Sequence, residues 1–183
     1  MFKNKFTFSI NHIIAITIGA PTFFLLDRFF SIPLLDGASL TLAYAALGLF
    51  AIAYGPIVGL LIGLIGHILV DITLLLGLSW SWIITSATVG VAYGFLLDPK
   101  MIKKSGFGSA NVVRFIIGGL IIHMVLWGII APLLDVIFYS LPVNRSFAQG
   151  IVAGACNFAL TSVVGTAFIF AYTKTRTKLK KNY

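Results

Sequence analysis

The chain has 183 residues, of which 59% are hydrophobic and only 10% are charged, and its mean hydropathy is +1.04. Soluble domains average about 45–50% apolar and about 25% charged residues. So few charged side chains exclude a water-soluble surface and indicate one integral membrane domain, residues 1–183. The net charge of +8 does not indicate nucleic-acid binding, because the basic residues form short clusters between apolar runs.

The apolar runs predict an all-α bundle of six transmembrane helices, since each span needs about 20 mostly apolar residues. The predicted helices cover residues 9–26, 41–54, 57–76, 80–97, 112–130 and 146–172. Gly55-Pro56 separates the second helix from the third, and Pro132 is taken to end the fifth, because proline cannot continue a helix. The first helix is expected to be retained, because no small-residue cleavage site follows it.

The distribution of basic residues predicts the orientation. Six spans would place both chain ends on one side of the membrane, together with eleven of the thirteen Lys and Arg residues. The other side would hold only Arg28 and Arg145. Because Lys and Arg accumulate on the cytoplasmic side, both termini are predicted to be cytoplasmic in a bacterial inner membrane.

This orientation places most polar residues of the spans at mid-depth or in the outer half. Ionisable groups inside a membrane protein usually face a bundle interior or a wet cavity. We therefore predict an outward-facing substrate site with polar groups and aromatic walls, formed by His67, Asp71, Trp82, His123, Trp127 and Asn157. Further candidates for its walls are Trp80, Phe138, Tyr139 and Gln149.

Each of these residues also has a structural interpretation. Trp80 and Trp82 suit an aromatic belt at the membrane surface. Asp71 lies one helical turn from His67 and would simply orient its ring. Asn157 would form an interhelical hydrogen bond. Asp27-Arg28 is interpreted as a local ion pair at the outer end of the first helix.

Other chemistries have weaker support. A metal site built from His67, Asp71 and His123 has no characteristic spacing, and the single Cys156 adds none, so no metal or intrinsic cofactor is expected. A membrane enzyme or an assembly subunit would have His67 with Asp71 as its local acid–base pair. The sequence has no phosphate-binding loop, so any ATP-driven transport requires a partner ATPase.

Small residues mark two helix faces. Ala15 and Gly19 are four residues apart on the first helix, a spacing that lets another helix approach closely. Gly59 and Gly63 have the same spacing on the third helix, where packing within the bundle is the expected role.

The stretch Ala43–Trp82, together with the six helices, the Ala15/Gly19 pair and the basic tail, resembles the S components of energy-coupling factor (ECF) vitamin transporters. The stretch contains Ala-Tyr-Ala-Ala-Leu, Tyr-Gly-Pro-Ile-Val-Gly, Ile-Gly-His-Ile-Leu-Val-Asp and Trp-Ser-Trp. The resemblance implies a binding subunit, not an enzyme, that works with a membrane coupling (T) protein and two ATPases. It also implies that Ala15 and Gly19 pack on the coupling protein. Residues 29–40 would then form a gate over the site.

The resemblance also implies a vitamin as substrate. Cobalamin is the first expectation, because the sequence is most similar to cobalamin-type S components. Riboflavin or a pyrimidine-type vitamin precursor is the alternative. The few charges expected in the cavity favour a neutral or zwitterionic ring compound.

The topology is tested by labelling single cysteines at Ser105 and Asn144 in a Cys156→Ala background. We expect only the Asn144 position to react with a membrane-impermeant thiol reagent added outside intact cells. Equal labelling of the two positions would contradict the predicted orientation.

Overall fold

The computed structural model describes residues 9–34, 38–75, 77–100, 102 and 106–181, with side chains as far as Arg176. Ser105, together with residues 101, 103 and 104 of the same predicted loop, lies outside these residues. The described chain forms six helices and one hairpin: α1 (Ile10–Phe29), β1 (Ser31–Pro33), β2 (Ser39–Thr41), α2 (Ala43–Tyr54), α3 (Pro56–Leu74), α4 (Trp80–Leu96), α5 (Ser109–Tyr139) and α6 (Val143–Leu160, Thr161–Gly165 and Thr166–Lys181).

The helices confirm an all-α membrane fold. Four of them, α1, α3, α5 and α6, are long and apolar enough to cross a membrane, whereas α2 and α4 are shorter apolar helices. Nine of the twelve residues of α2 are buried, since α1, α3, α4 and α6 all pack against it. A helix of about 18 Å is shorter than the hydrocarbon core of about 30 Å, and its neighbours keep its ends from lipid.

The break between α2 and α3 is confirmed at Gly55-Pro56. Gly55 has φ 102°, a conformation that side chains with a Cβ rarely adopt, and Pro56 begins α3. Proline is favoured there because the first residues of a helix have no partner for a backbone N–H.

The closest helix contact joins α3 to α4. A Cβ atom added at Gly59 would overlap the carbonyl group of Gly90, and one added at Gly90 would overlap the carbonyl group of Gly59. One turn further along, a Cβ at Gly63 would overlap the carbonyl of Ser86. The two backbones therefore touch, which confirms that Gly59 and Gly63 pack within the bundle.

Ala15 and Gly19 face the interior of the chain. Ala15 is buried, and a Cβ at Gly19 would overlap Cδ1 of Ile62 and lie 3.3 Å from Cγ of Phe50. The pair therefore brings α1 close to α3 and α2. A partner contact would be expected on an outer surface of the bundle. The outer surface of α1 instead carries larger residues such as Ile14 and Ile18.

The prediction that Pro132 ends the fifth helix is wrong. A π-helical turn, Leu126–Ile130, widens α5 just before the proline, and the helix then continues through Ala131–Tyr139. Proline disrupts a regular helix through its missing N–H and its clash with an earlier carbonyl. Here Pro132 lies in the first turn after the wider segment, where that N–H is not needed. Asp135 and Tyr139 consequently belong to a helix.

Residues between α1 and α2 form a short hairpin. β1 pairs antiparallel with β2, with Ser31 opposite Thr41 and Pro33 opposite Ser39. Residues 35–37, between the two strands in sequence, lie outside the described part of the chain. β2 packs on the first half of α6, so this strand lies against the bundle.

The backbone contact between α3 and α4 predicts an ordering of glycine substitutions. Gly59→Ala and Gly90→Ala should each lower the melting temperature in detergent, because overpacking costs about 1–3 kcal/mol and backbone atoms cannot yield as side chains do. Gly128→Ala is the matched control, since the nearest atom to its Cβ would be 3.9 Å away. If Gly128→Ala lowered the melting temperature as much as Gly59→Ala, the close contact between α3 and α4 would be contradicted.

Candidate functional site

A cavity of about 560 Å³ opens at one end of the bundle. The ends of α1, α3 and α5 and the beginnings of α2, α4 and α6 surround it, and β2 and residues 77–79 lie at its rim. Its volume falls within the roughly 300–1,000 Å³ typical of small-molecule sites. The lining comprises Asp27, Ser39, Thr41, Tyr44, His67, Val70, Asp71, Leu74, Gly77, Leu78, Ser79, Trp82, Asp135, Tyr139, Leu141, Arg145, Gln149 and Asn157.

A chain of polar contacts runs along the α3–α4 wall. The Tyr44 hydroxyl lies 2.9 Å from Oγ of Ser86, which lies 2.8 Å from Nδ1 of His67. Nε2 of His67 is 3.7 Å from Oδ1 of Asp71, and Oδ2 of Asp71 accepts a 2.7 Å hydrogen bond from the Ser79 backbone N–H. Asp71 thus lies beside His67, whose ring is held by Ser86, and His67 and Asp71 both line the cavity.

Asp135 on α5 holds the Trp82 side chain of α4 in place. The Ser81 hydroxyl donates to Oδ1 of Asp135, and the Trp82 indole N–H donates to Oδ2 over 3.1 Å. Tyr139, one turn further along α5, accepts a 2.7 Å hydrogen bond from the Trp80 backbone N–H. α5 is therefore fastened to the first turn of α4, with the Trp82 indole facing the cavity.

Asn157 joins α6 to the hairpin. Its Oδ1 accepts a 3.0 Å hydrogen bond from the Thr41 backbone N–H, while Thr41 Oγ1 accepts from the N–H of Ala43, the first residue of α2. Asn157 is only 3% exposed, yet it borders the cavity. Its amide NH2 makes no hydrogen bond with the described residues.

His123 and Trp127 lie behind the cavity wall. Both are fully buried, and neither is part of the lining. The Trp127 ring packs 4.9 Å from the Trp82 ring and 5.4 Å from the Tyr44 ring, and His123 packs 5.7 Å from Tyr44. Four of the six predicted site residues, His67, Asp71, Trp82 and Asn157, therefore share the cavity, and the other two support its aromatic wall.

The lining contains residues that sequence reasoning assigned elsewhere. Asp27 borders the cavity, whereas its neighbour Arg28 does not. The Arg28 guanidinium carbon lies 5.6 Å from the centre of the Phe29 ring, so the two side chains predicted to form an ion pair have different surroundings. Asp135 falls between the predicted fifth and sixth helices, because Pro132 is predicted to end the fifth. Of the additional wall candidates, Tyr139 and Gln149 line the cavity, while Trp80 and Phe138 are exposed on the outside.

The geometry offers no metal centre among the described residues: no three His, Cys, Asp or Glu side chains converge on a common point. His67 and Asp71 approach each other, but His123 is separated from them behind Tyr44. The arrangement suits noncovalent binding of a small molecule by aromatic surfaces, carboxylates and an amide.

Comparison with known proteins gives consistent results. The family described as "ECF-type riboflavin transporter, S component" matches residues 7–174. A UPF0397 protein of Clostridium perfringens (strain SM101 / Type A) is 40% identical over 188 aligned residues that cover 100% of both chains. A UPF0397 protein of Enterococcus faecalis is 39% identical over 171 residues, covering 93% of each chain.

A solved structure of FolT bound with folic acid has the same fold, with a TM-score of 0.60 over 86% of this chain and 94% of that chain. Its sequence is 14% identical, so the likeness concerns the fold alone. Taken with the family match over nearly the whole chain, these results show that the chain belongs to the S components of ECF-type transporters, and so is an integral membrane substrate-binding subunit and not an enzyme.

Proposed function

We propose that this S component captures a vitamin in the cavity between Asp71, Trp82 and Asn157 from the outer side of the membrane, for delivery through a partner ATPase complex. The observation that carries the proposal is the cavity itself: polar side chains from α1, α3, α5 and α6 converge there with Tyr44, Trp82 and Tyr139. The basic residues that predict the cytoplasmic side belong to the other end of the helices, so the cavity would open outward.

The size of the cavity bears on the choice of vitamin. About 560 Å³ suits a single flat ring system, whereas cobalamin, a corrin with a nucleotide tail, is much larger than a usual ligand of such sites. We therefore favour the alternative from the sequence, riboflavin or a pyrimidine-type compound, over cobalamin. The riboflavin description of the matching family supports a vitamin of this size.

The six predicted residues have two proposed roles. His67, Asp71, Trp82 and Asn157 would contact the vitamin directly, because they line the cavity. His123 and Trp127 would hold Tyr44 and Trp82 in place from behind. The β1–β2 hairpin would act as the gate, since Thr41 is bound by Asn157 and Ser39 borders the cavity.

ECF S components work with a T protein and ATPases. We propose the same partners for this chain: a T protein and two ATPase subunits. Contact of Ala15 and Gly19 with the T protein stays a prediction, and it would require α1 to move away from Ile62 and Phe50.

The site is tested by comparing two neighbouring tryptophans. Trp82→Ala should weaken binding of the vitamin that copurifies with the wild-type chain by roughly two- to tenfold, because stacking contributes about 0.5–1.5 kcal/mol. Trp80→Ala is the control: its side chain is 46% exposed and lies outside the cavity. Fluorescence titration of purified protein measures both affinities. Equal weakening by the two substitutions would support an interfacial-belt role instead.

Asn157 provides a second test. Asn157→Ala should lower the affinity for the same vitamin by up to about tenfold, because a buried hydrogen bond contributes about 0.5–1.5 kcal/mol. Asn111→Ala is the matched control, since Asn111 reaches only the Gly106 carbonyl at the other end of α5. Unchanged affinity in Asn157→Ala would exclude this amide as a ligand contact.

A further inference from the structure

The cavity concentrates the negative charge of a basic chain. The sequence has five acidic residues, all aspartates, against thirteen Lys and Arg. Three of the five, Asp27, Asp71 and Asp135, line the cavity, although they lie on three different helices. The cationic side chains of the lining are the Arg145 guanidinium and, when protonated, the His67 imidazole. The lining therefore carries more carboxylates than permanent cations, which sequence reasoning did not anticipate.

The three carboxylates differ in how far protein groups already neutralise them. Asp135 accepts hydrogen bonds at both oxygens, from Ser81 and Trp82. Asp71 accepts one from the Ser79 backbone and has His67 3.7 Å away. Asp27, near the end of α1, lies in the same lining as Asp71, so the two carboxylates share one cavity.

Two neighbouring carboxylates in a membrane protein favour a positive charge between or beside them. Isolated charges inside the membrane are costly unless they are paired or face water. A ligand cation would offset the negative charge that Asp27 and Asp71 bring to the cavity and form charge-assisted hydrogen bonds, the stronger class of hydrogen bond. An uncharged ligand would leave that charge uncompensated, and an anionic one would add to it.

An independent feature indicates what else the ligand carries. The NH2 group of Asn157, a residue only 3% exposed, borders the cavity without a partner among the described side chains and backbone groups. It can donate to an acceptor nitrogen or oxygen of a bound ring. Trp82 and Tyr139 provide aromatic surfaces in the same lining, and aromatic faces attract cations.

We propose that the cavity selects a positively charged nitrogen heterocycle, whose cationic edge lies against Asp27 and Asp71 and whose acceptor atom receives the Asn157 amide N–H. This inference rests on the proposed function and specifies the substrate class of the same site. It replaces the expectation of a neutral or zwitterionic compound, which assumed few charges in the cavity.

The experiment measures binding of four probes to the purified full chain by isothermal titration calorimetry. Two are cationic or readily protonated heterocycles, thiamine and 4-amino-5-hydroxymethyl-2-methylpyrimidine. The other two are uncharged riboflavin and anionic folic acid. Wild-type protein is compared with Asp27→Asn, with Asp71→Asn, which keeps an acceptor oxygen for Ser79, and with Asp98→Asn as control. Asp98 accepts from the Lys100 backbone N–H, outside the cavity.

We expect at least one of the first two probes to bind more tightly than riboflavin and folic acid. Its affinity should fall by roughly ten- to hundredfold in Asp27→Asn and Asp71→Asn, and stay unchanged in Asp98→Asn, because hydrogen bonds to charged groups contribute about 1.5–3 kcal/mol. For each variant, we compare the ratio of its affinities for two probes with the same ratio in the wild type. Partial unfolding of a sample lowers both apparent affinities equally, so a changed ratio reports a change in selectivity.

Two results would overturn the inference. One is the absence of binding by both nitrogen heterocycles at millimolar concentration. The other is tighter binding of riboflavin or folic acid with no loss in Asp27→Asn or Asp71→Asn. In the second case the proposed function would still hold, since a vitamin would bind. The proposed function itself is contradicted if Trp82→Ala does not change the affinity for the bound vitamin.

Discussion

The backbones of α3 and α4 touch at Gly59, Gly63 and Gly90, and the geometry of the cavity depends on that contact. A side chain at any of these positions would overlap backbone atoms of the opposite helix. The close approach places Ser86 of α4 within 2.8 Å of His67 on α3, and His67 in turn lies beside Asp71. If the helices were one methyl group further apart, this series of polar contacts would break. Tyr44 would then shift in the cavity wall, because its hydroxyl is hydrogen-bonded to Ser86.

Lipid imposes the second constraint, since hydrocarbon cannot satisfy a polar group. In this chain the buried polar groups of the spans are directed inward and concentrated at one end. Asp135 is satisfied by Ser81 and Trp82, and Asn157 satisfies the N–H of Thr41 in the hairpin. The same hydrogen bonds orient the Trp82 indole and the hairpin around the cavity. The bonds that satisfy these buried polar groups therefore also shape the binding site.

Much of the fold could be predicted from the sequence, because hydropathy and the Gly55-Pro56 break depend on local composition. The end of α5 could not: whether Pro132 stops a helix depends on the π-helical turn before it, and that turn has no local signature. The inward orientation of Ala15 and Gly19 was also missed. Small-residue spacing indicates a close helix contact but does not identify the helix that makes it.

The candidate site was predicted in part for a related reason. Depth along the membrane placed His67, Asp71, Trp82 and Asn157 correctly, but depth does not give the rotation of a helix. His123 and Trp127 therefore lie one layer behind the cavity, packed on Tyr44 and Trp82. Asp27 was interpreted through its neighbour Arg28, although consecutive residues on a helix point in different directions.

The central claim is that the cavity at this end of the bundle holds the substrate. An experimental structure of the chain with its copurified vitamin tests it most directly. We expect ligand density between Tyr44, Trp82 and Asp71, beside the β1–β2 hairpin. Density in the separate groove between α2 and α6, beside Tyr172 and Arg176, with the cavity unoccupied, would contradict it.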